Sequence, residues 1–330
     1  MNAITPLDTD GGSDSAPTPG AAAQKLIAAV KANPSEPLFA VVDGARYGNL
    51  PRLLDMQGLT GRSLFLDHAD AEIEAASGWL VPLGGEADLA RLLEVSDETC
   101  SSLVLWFCPL GETALHRHVR TINVVRIPSD AIPDNNLVAD ADPGEDPEKT
   151  SRPEYGNVLF RHYDPDVLGA LLPLLDEAQF ARIFGPATRI VMFSQGHGGL
   201  CTAPRPENLP IAPRGLLTIS AGQIEDLKLA MGEARDMRVA AYLRKSAPEA
   251  AAKLDDHQLA NFVAASQASG HELGLTTERA QGFWAYMMLN SRGKIARDEV
   301  VRDYIVSDPE KGTPDDKMYN LMGELAKASS

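Results

Sequence analysis

The sequence lacks the features of most secreted, membrane-spanning and nucleic-acid-binding proteins. It has only 3 cysteines, an odd count without a CxxC pair, which excludes a fully paired intrachain framework and favours reduced, buried thiols. No apolar run approaches the length that crosses a bilayer. The 30 basic residues are outnumbered by 46 acidic ones, for a net charge of −16, which argues against nonspecific nucleic-acid binding. We therefore predict a cytoplasmic protein that binds neither a membrane nor a nucleic acid.

The composition of the first twenty residues predicts no secretory signal. Met1–Gly20 has no basic start and no apolar h-region. It is rich in Asp, Ser, Thr, Pro and Gly, a composition that predicts a disordered tail. Elsewhere the balance of 44% apolar and 23% charged residues is ordinary for a globular chain, and 330 residues are enough for two domains.

Residues 21–194 alternate short apolar runs with helical patterns, which predicts an α/β domain with a mixed sheet and flanking helices. Leu38–Asp43 is a continuous apolar run that ends in a carboxylate, and Leu103–Cys108 is the clearest strand. Gly78–Leu83 is also apolar but contains Pro82, which fits a sheet edge or a strand end.

The remaining segments differ in composition. Ser129–Tyr155 holds many Asp, Glu and Pro residues, which predicts a flexible acidic loop inserted between two strands of a hairpin. Residues 195–215 are rich in Gly and Pro without a periodic pattern, which predicts a linker. Residues 216–330 carry helical spacing throughout, and Ser220 with Gln223 forms a capping-box pattern. We expect an all-α lobe there.

The most informative stretch is Asn157–Leu168. It begins as an apolar strand that Arg161 interrupts, and Asp164 and Pro165 then have the residue types of a helix N-cap and first helical position. An arginine at the end of a buried strand needs a partner or an exit to solvent. Asp164 is its nearest candidate partner, so the stretch predicts a strand-to-helix corner held by an ion pair.

A search for catalytic motifs finds no GxSxG elbow, Walker loop or GxGxxG after a strand. Gly196–Gly199 fits no phosphate-binding loop, and a linker is favoured over an oxyanion-type loop. His116 and His118 point to different faces of a helix, so they cannot readily share one metal ion. His162 lacks a neighbouring nucleophile and is interpreted as structural. We predict no catalytic residue, no metal and no cofactor.

Two further features allow both a functional and a structural interpretation. Asp43 ends a strand, as active-site carboxylates often do, but it could also cap a helix that begins at Gly44. The cap is favoured. A helical stripe of aromatic and methionine side chains is favoured as core, but if exposed it would suit contact with a partner protein. The members of that stripe are Phe283, Trp284, Met287 and Met288.

Taken in order, several segments resemble the adaptor chaperones of type VI secretion effectors. The most specific is Val158–Pro165, which is similar to that family's Phe-Arg-Phe/Tyr-Asp-Pro corner. The segments that carry the resemblance are Leu38–Arg46, Ser63–Phe65, Gly78–Leu83, His118–Arg120, Val158–Pro165 and Phe184–Pro186. One departure is Asp166, which stands where the family usually has an arginine.

The resemblance implies a function. Such adaptors bind a toxic effector in the cytoplasm and load it onto the VgrG spike of the secretion apparatus, and they are not known as enzymes. It also implies which residues are structural or bind a partner: Asp43, Arg120, Phe160, Arg161, Tyr163, Asp164 and Pro165. The long acidic loop is expected to be specific to this protein's own partner.

An alternative remains open at this point. The protein could be an α/β enzyme with an unrecognised site near Asp43, Arg161 and Asp164, joined by Arg120 and His162 at the ends of strands. A perturbed carboxylate or histidine in a pocket lined by them would favour that interpretation.

Overall fold

A computed structural model describes residues 5–6, 20–33, 35–65, 70–97, 99–132, 154–307 and 312–328. These residues fall into two compact units, which divide in sequence between Met231 and Gly232. The predicted acidic loop lies largely outside the described residues, as does most of the predicted disordered tail.

The first unit is built on a seven-stranded sheet whose neighbouring strands are all antiparallel. In chain order its strands are β1 (Thr5–Pro6), β2 (Leu38–Asp43), β3 (Arg62–Ser63), β4 (Gly78–Leu83), β5 (Leu103–Phe107), β8 (Arg189–Ser194) and β9 (Gly199–Pro204). Their order across the sheet is β1-β9-β8-β5-β2-β4-β3. Strand β3 pairs with Trp79 and Leu80 of β4. Pro82 lies two residues further along β4, near the end of that strand, as predicted.

A second sheet has three strands in the order β10-β6-β7. They are β6 (Val124–Pro128), β7 (Tyr155–Leu159) and β10 (Leu217–Thr218). Strands β6 and β7 pair antiparallel, so the long insertion between them does join a hairpin, as predicted. Strand β10 pairs in parallel with β6.

Helices cover both faces of the large sheet, because successive side chains of a strand point to opposite faces. The helices of this unit are α1 (Ala21–Lys31), α2 (Leu50–Met56), α3 (Ala71–Ala75), α4 (Glu86–Glu94), α5 (Gly111–Thr121), α6 (Pro165–Leu171) and α7 (Glu177–Phe184). On β2, Phe39 and Val41 belong to one core with helices α5, α6 and α7, while Ala40 and Val42 belong to another with α1, α2 and α4.

The second unit is helical in its described residues and has its own apolar clusters. Its helices are the end of α8 (Ala221–Ser246), α9 (Pro248–Ala251), α10 (Asp256–Glu272), α11 (Glu278–Asn290), α12 (Glu299–Val306) and α13 (Pro314–Ala328). The predicted capping box at the start of α8 is present: the Ser220 backbone amide donates to Gln223 Oε1, and the Gln223 backbone amide donates to Ser220 Oγ. The fold class is therefore confirmed: a sheet with flanking helices, followed by a helical region.

The predicted linker at residues 195–215 is not a linker throughout. Its first part is the turn of a hairpin, in which Ser194 on β8 pairs with Gly199 on β9. Gly198 and Gly199 have φ angles of 84° and 105°, a region that glycine adopts without strain. The glycines thus serve a tight turn, and the two units divide further along the chain, inside α8.

Candidate functional site

The corner, residues Phe160–Pro165, connects β7 to α6. Its entry is fixed where the Phe160 amide donates to the Asn123 carbonyl at 2.7 Å. The chain then turns, and the Asp164 amide donates to the Arg161 carbonyl at 2.9 Å. Strand β7 ends at Leu159, so Arg161 lies in the turn, two residues beyond the strand whose end it was predicted to occupy.

The predicted helix start at the corner is confirmed. Asp164 is the N-cap of α6, and one of its oxygens accepts from the backbone amides of Asp166 (3.0 Å) and Val167 (3.4 Å). Pro165 occupies the first helical position, where no amide hydrogen is needed.

The main partner of Arg161 differs from the predicted one. Its Nη2 forms a hydrogen-bonded ion pair with Asp43 Oδ2, whereas Asp164 Oδ2 lies 3.9 Å away. Asp43 is distant in sequence, so neighbourhood along the chain could not identify it. The correction matters because the ion pair joins the corner to the end of β2 instead of closing a local turn.

A second arginine completes what we term the charged cluster, which consists of Asp43, Arg46, Arg161 and Asp164. Arg46 Nε lies 3.4 Å from Asp43 Oδ2, and its Nη2 lies 3.8 Å from Asp164 Oδ2. Its Nη1 donates to Ser101 Oγ at 3.1 Å. Two carboxylates therefore face two guanidinium groups, and their formal charges balance.

Asp43 is held rigidly in this cluster. Its amide donates to the Ser102 carbonyl at 2.8 Å, and its Oδ1 accepts from the Ala45 amide at 3.2 Å. The latter bond caps the 3₁₀ turn Gly44–Arg46, so the cap interpretation of Asp43 is confirmed. Gly44 is required here because a Cβ would overlap the carbonyl oxygens of Ala75 and Ser77.

Burial shapes the electrostatics of the corner. The pKa of Asp164 is raised, mainly by burial and next by the neighbouring Asp166, and the arginines offset this only in part. Burial lowers the pKa of Arg161, but Asp43 and Asp164 outweigh that effect and the pKa is raised overall. Burial and Asp43 raise the pKa of Tyr163 to about 12. The arginine thus remains charged and the tyrosine remains protonated at neutral pH.

His162 is a core residue, as its structural interpretation predicted. Its side chain is fully buried, and Nε2 lies 2.9 Å from Asn123 Oδ1, while Nδ1 has no hydrogen-bond partner. Burial lowers the pKa of His162 to about 3. A histidine that stays neutral and faces no solvent is unsuited to general-base chemistry at neutral pH.

The other two histidines of this region contact different parts of the fold, as their spacing predicted. His116 Nε2 lies 2.9 Å from the Ser63 carbonyl, and His118 Nε2 lies 2.7 Å from the Ile183 carbonyl. Burial lowers the pKa of both, to about 4 for His118. Each ring joins α5 to a separate element.

The remaining corner residues have structural environments. Phe160 and Tyr163 are buried in the core beneath α5, α6 and α7. The Tyr163 ring covers Gly78, where any Cβ would collide with it.

Arg120 lies on α5, outside the corner. The ion pairs of Asp43 and Asp164 are made with Arg46 and Arg161 instead. The structure does not bring Arg120 into the charged cluster.

The helical stripe is core. Trp284 is fully buried, Met287 and Met288 are nearly so, and all three belong to one apolar cluster of the second unit. Phe283 is half-buried beside Arg279, whose guanidinium carbon lies 5.3 Å from the ring centroid. The interpretation of the stripe as core therefore fits the structure, and its three buried members offer little surface to a partner protein.

The charged cluster holds the corner to the end of β2, and its two arginines are its most exposed side chains. The Asp43 side chain is 1% exposed and both of its oxygens accept hydrogen bonds, so it has no free lone pair directed to solvent. The Arg46 and Arg161 side chains are 40% and 43% exposed. A ligand would therefore meet guanidinium groups before it reached the enclosed Asp43 carboxylate.

Two members of this site were missed as partners by sequence reasoning. Arg46 follows Asp43 by three residues, a spacing that signals contact only once the 3₁₀ turn is known. Asn123 links His162 to the Leu64 carbonyl (2.9 Å) and gives no sequence signal, because its partners lie far along the chain.

Within the residue ranges that the structure describes, no three His, Cys, Asp or Glu side chains are grouped to hold a metal ion. No helix in those ranges has the length and apolar character to span a bilayer.

Comparison with known proteins yields one family match. The model of a family described as "Domain of unknown function (DUF4123)" matches residues 38–132, from the start of β2 to the turn after β6. The match includes Asp43 and Arg46 but ends before the corner. No curated protein and no solved structure matches the chain.

Proposed function

We propose that this protein is a cytoplasmic adaptor that binds a type VI secretion effector and helps load it onto the VgrG spike. The observation that carries the proposal is the family match at residues 38–132, because domains of this family occur in type VI secretion effector adaptors. The corner that resembles the adaptor motif lies outside the matched range, so it is separate support from the sequence.

The geometry of the charged cluster agrees with such a role. An adaptor needs a rigid scaffold, and the ion pair between Arg161 and the buried Asp43 joins two elements that are remote in sequence. The same geometry disfavours the enzyme alternative, because Asp43 is enclosed and His162 is buried in its neutral form.

A deletion strain of the native host tests the proposal. We expect loss of the gene to abolish secretion of one effector, encoded near it, while the tube protein of the apparatus is still secreted. Restoring the wild-type chain should restore secretion of that effector. Unchanged secretion of every effector would contradict an adaptor function, and loss of the tube protein as well would instead assign the chain to the apparatus itself.

The acidic loop at residues 129–155 is proposed to contribute to effector selectivity together with the helical region, while the α/β domain serves as scaffold. Deleting Asp140–Lys149 should weaken capture of the purified effector and leave capture of the spike unchanged. Loss of spike binding with effector binding intact would refute this division of roles.

A further inference from the structure

The outer edge of β9, the side that faces away from β8, is covered over a shorter length than the inner side. All six residues of β9 pair with β8. In the described part of the chain β1 pairs with two of them, so that Thr5 lies opposite Thr202 and Pro6 lies opposite Cys201. An edge strand of this kind offers its backbone groups to another extended chain.

The proline at residue 204 fixes which backbone groups of β9 point to this edge. In an antiparallel pair, residues that exchange both backbone hydrogen bonds with the partner strand alternate with residues that do not. Pro204 lies opposite Arg189 and has no N–H, so it cannot exchange both bonds with β8. The next residue, Arg205, does face β8, since its amide donates to the Thr188 carbonyl at 2.8 Å. By alternation, the backbone groups of Thr202 face the outer edge.

The proline of β1 leads to the same assignment from the other strand. Because Pro6 also lacks an N–H, Pro6 and Cys201 cannot exchange both bonds, and Thr5 and Thr202 form the pair that does. The net free energy from one such pair of hydrogen bonds is small. A longer extended segment that paired along more of β9 would form more of them, so β1 is a cover that another strand can displace.

The surroundings of this edge are apolar on both faces of the sheet. Cys201 and Ala203 are buried in one core, and Leu200 packs against the other. The first seven residues of the chain, which include β1, carry no charged side chain, although the whole chain has a net charge of −16. A strand added at this edge is therefore expected to be uncharged.

We infer that the outer edge of β9 binds an extended, uncharged segment of a partner protein as an added antiparallel strand, and that β1 is the intramolecular cover which this segment displaces. Main-chain hydrogen bonds would supply the affinity, and the apolar faces would select against charged segments. Because β1 belongs to the same chain, it competes at a high effective concentration. Nothing in this pairing requires the partner to be a secretion effector.

A fluorescent peptide with the sequence of the chain's first ten residues tests the edge in trans. In the full-length protein, Thr5→Pro removes the N–H that β1 donates to Thr202 and should uncover the edge, whereas Thr5→Val keeps that N–H. We expect the Thr5→Pro protein to bind the peptide at least about tenfold more tightly than the wild type or the Thr5→Val protein, where the tethered cover competes. Equal binding by all three proteins, or no binding by any, would overturn the inference.

Changes to the peptide show whether it binds as an uncharged strand. N-methylation of its Thr5, whose N–H faces β9, should abolish binding to the Thr5→Pro protein, whereas N-methylation of its Ile4, whose N–H faces away, should not. A peptide with Ile4→Glu and Leu7→Glu should bind more weakly than the unmodified one. Equal binding of the two methylated peptides would refute strand pairing, and undiminished binding of the glutamate peptide would refute the selection against charge.

A change in β9 locates the site on the protein. In the Thr5→Pro protein, Thr202→Pro removes the N–H that receives the peptide and should abolish binding, while Thr202→Val should not. Proline is tolerated where a strand's N–H points outward, as it does at residue 204. The methylated peptides leave β9 unchanged, so they decide the matter if the Thr202→Pro protein folds poorly. A wild-type dimer that dissociates in the Thr5→Pro protein would overturn the inference by assigning the edge to a second copy of the chain.

Discussion

At the residue scale, stability at the corner depends on how a buried carboxylate is neutralised. Asp43 is almost fully enclosed, and its nearest cation is Arg161, with Arg46 further away. Leaving a buried charge without its partner is costly, but an arginine that is 43% exposed contributes less than a buried one would. The two arginines therefore differ in importance although both lie beside the same oxygen.

The first prediction compares these arginines. Arg161→Ala should lower the free energy of unfolding by about 2 kcal/mol, because the hydrogen bond to Asp43 is lost. Arg46→Ala should cost about 1 kcal/mol or less, since its contacts are longer. Chemical denaturation of both variants measures this. Equal effects would show that both arginines stabilise Asp43 to the same extent, and that the Arg161 hydrogen bond has no special importance.

Two buried histidines make the free energy of unfolding depend on pH in the acid range. The pKa values of His162 and His118 are about 3 and about 4 in the folded state, below the ordinary 6.5. A depressed histidine pKa means that the unfolded chain binds protons first. Their contribution to stability is thus fully present above pH 6.5 and is lost as the pH falls from 6.5 through those values.

The second prediction is a pH profile. Below pH 6.5 each of these histidines should reduce the free energy of unfolding by about 1.4 kcal/mol per pH unit. Replacing His162→Gln should flatten the difference between pH 7 and pH 5 relative to wild type, as followed by urea denaturation. The exposed His257→Gln serves as the surface control for loss of a histidine. An unaltered slope in the His162 variant would mean that this ring is protonated in the folded state.

At the element scale, the corner works as a helix cap as well as an ion-pair site. The Asp164 side chain accepts two backbone amides at the start of α6, while both arginines lie nearly 4 Å from it. Its raised pKa indicates that burial outweighs the attraction of the arginines. Capping, rather than charge pairing, should therefore dominate its contribution.

The third prediction separates these two roles. Asp164→Asn keeps an oxygen that can cap α6 and should change stability by less than about 0.5 kcal/mol. Asp164→Ala removes the cap and should cost about 1 kcal/mol or more. Thermal unfolding distinguishes them. A large loss in the asparagine variant would indicate that the negative charge itself is required.

The fourth prediction concerns the contact between β2 and the segment before β4. Gly44→Ala should destabilise the protein by about 2 kcal/mol or prevent folding, because its methyl group would overlap two backbone carbonyls. Gly48→Ala is the matched control, with no atom within 4 Å of the added carbon. Its stability should be unchanged or slightly higher. Tolerance of alanine at residue 44 would contradict the close approach.

Sequence patterns predicted the elements well where the local signal was strong. The apolar run Leu38–Asp43 and the Asp-Pro helix start both reappear as predicted. Strand β9 was missed because glycine and proline surround its few apolar residues, and a hairpin turn resembles a linker in composition. The pairing of Asp43 with Arg161 could not be found, since it depends on the sheet bringing β2 beside the corner.

At the scale of the whole molecule, the described residues form two units with separate apolar cores. The first unit holds the matched family region and the charged cluster. The second unit is helical in its described residues. We propose that the chain acts by binding other proteins.

The most direct measurement of that claim uses three purified proteins: this chain, the effector encoded beside it and the cognate VgrG spike. Size-exclusion chromatography with light scattering should reveal a ternary complex that forms only when the chain is present. An effector that binds the spike equally well without the chain, while the chain joins neither, would contradict the account.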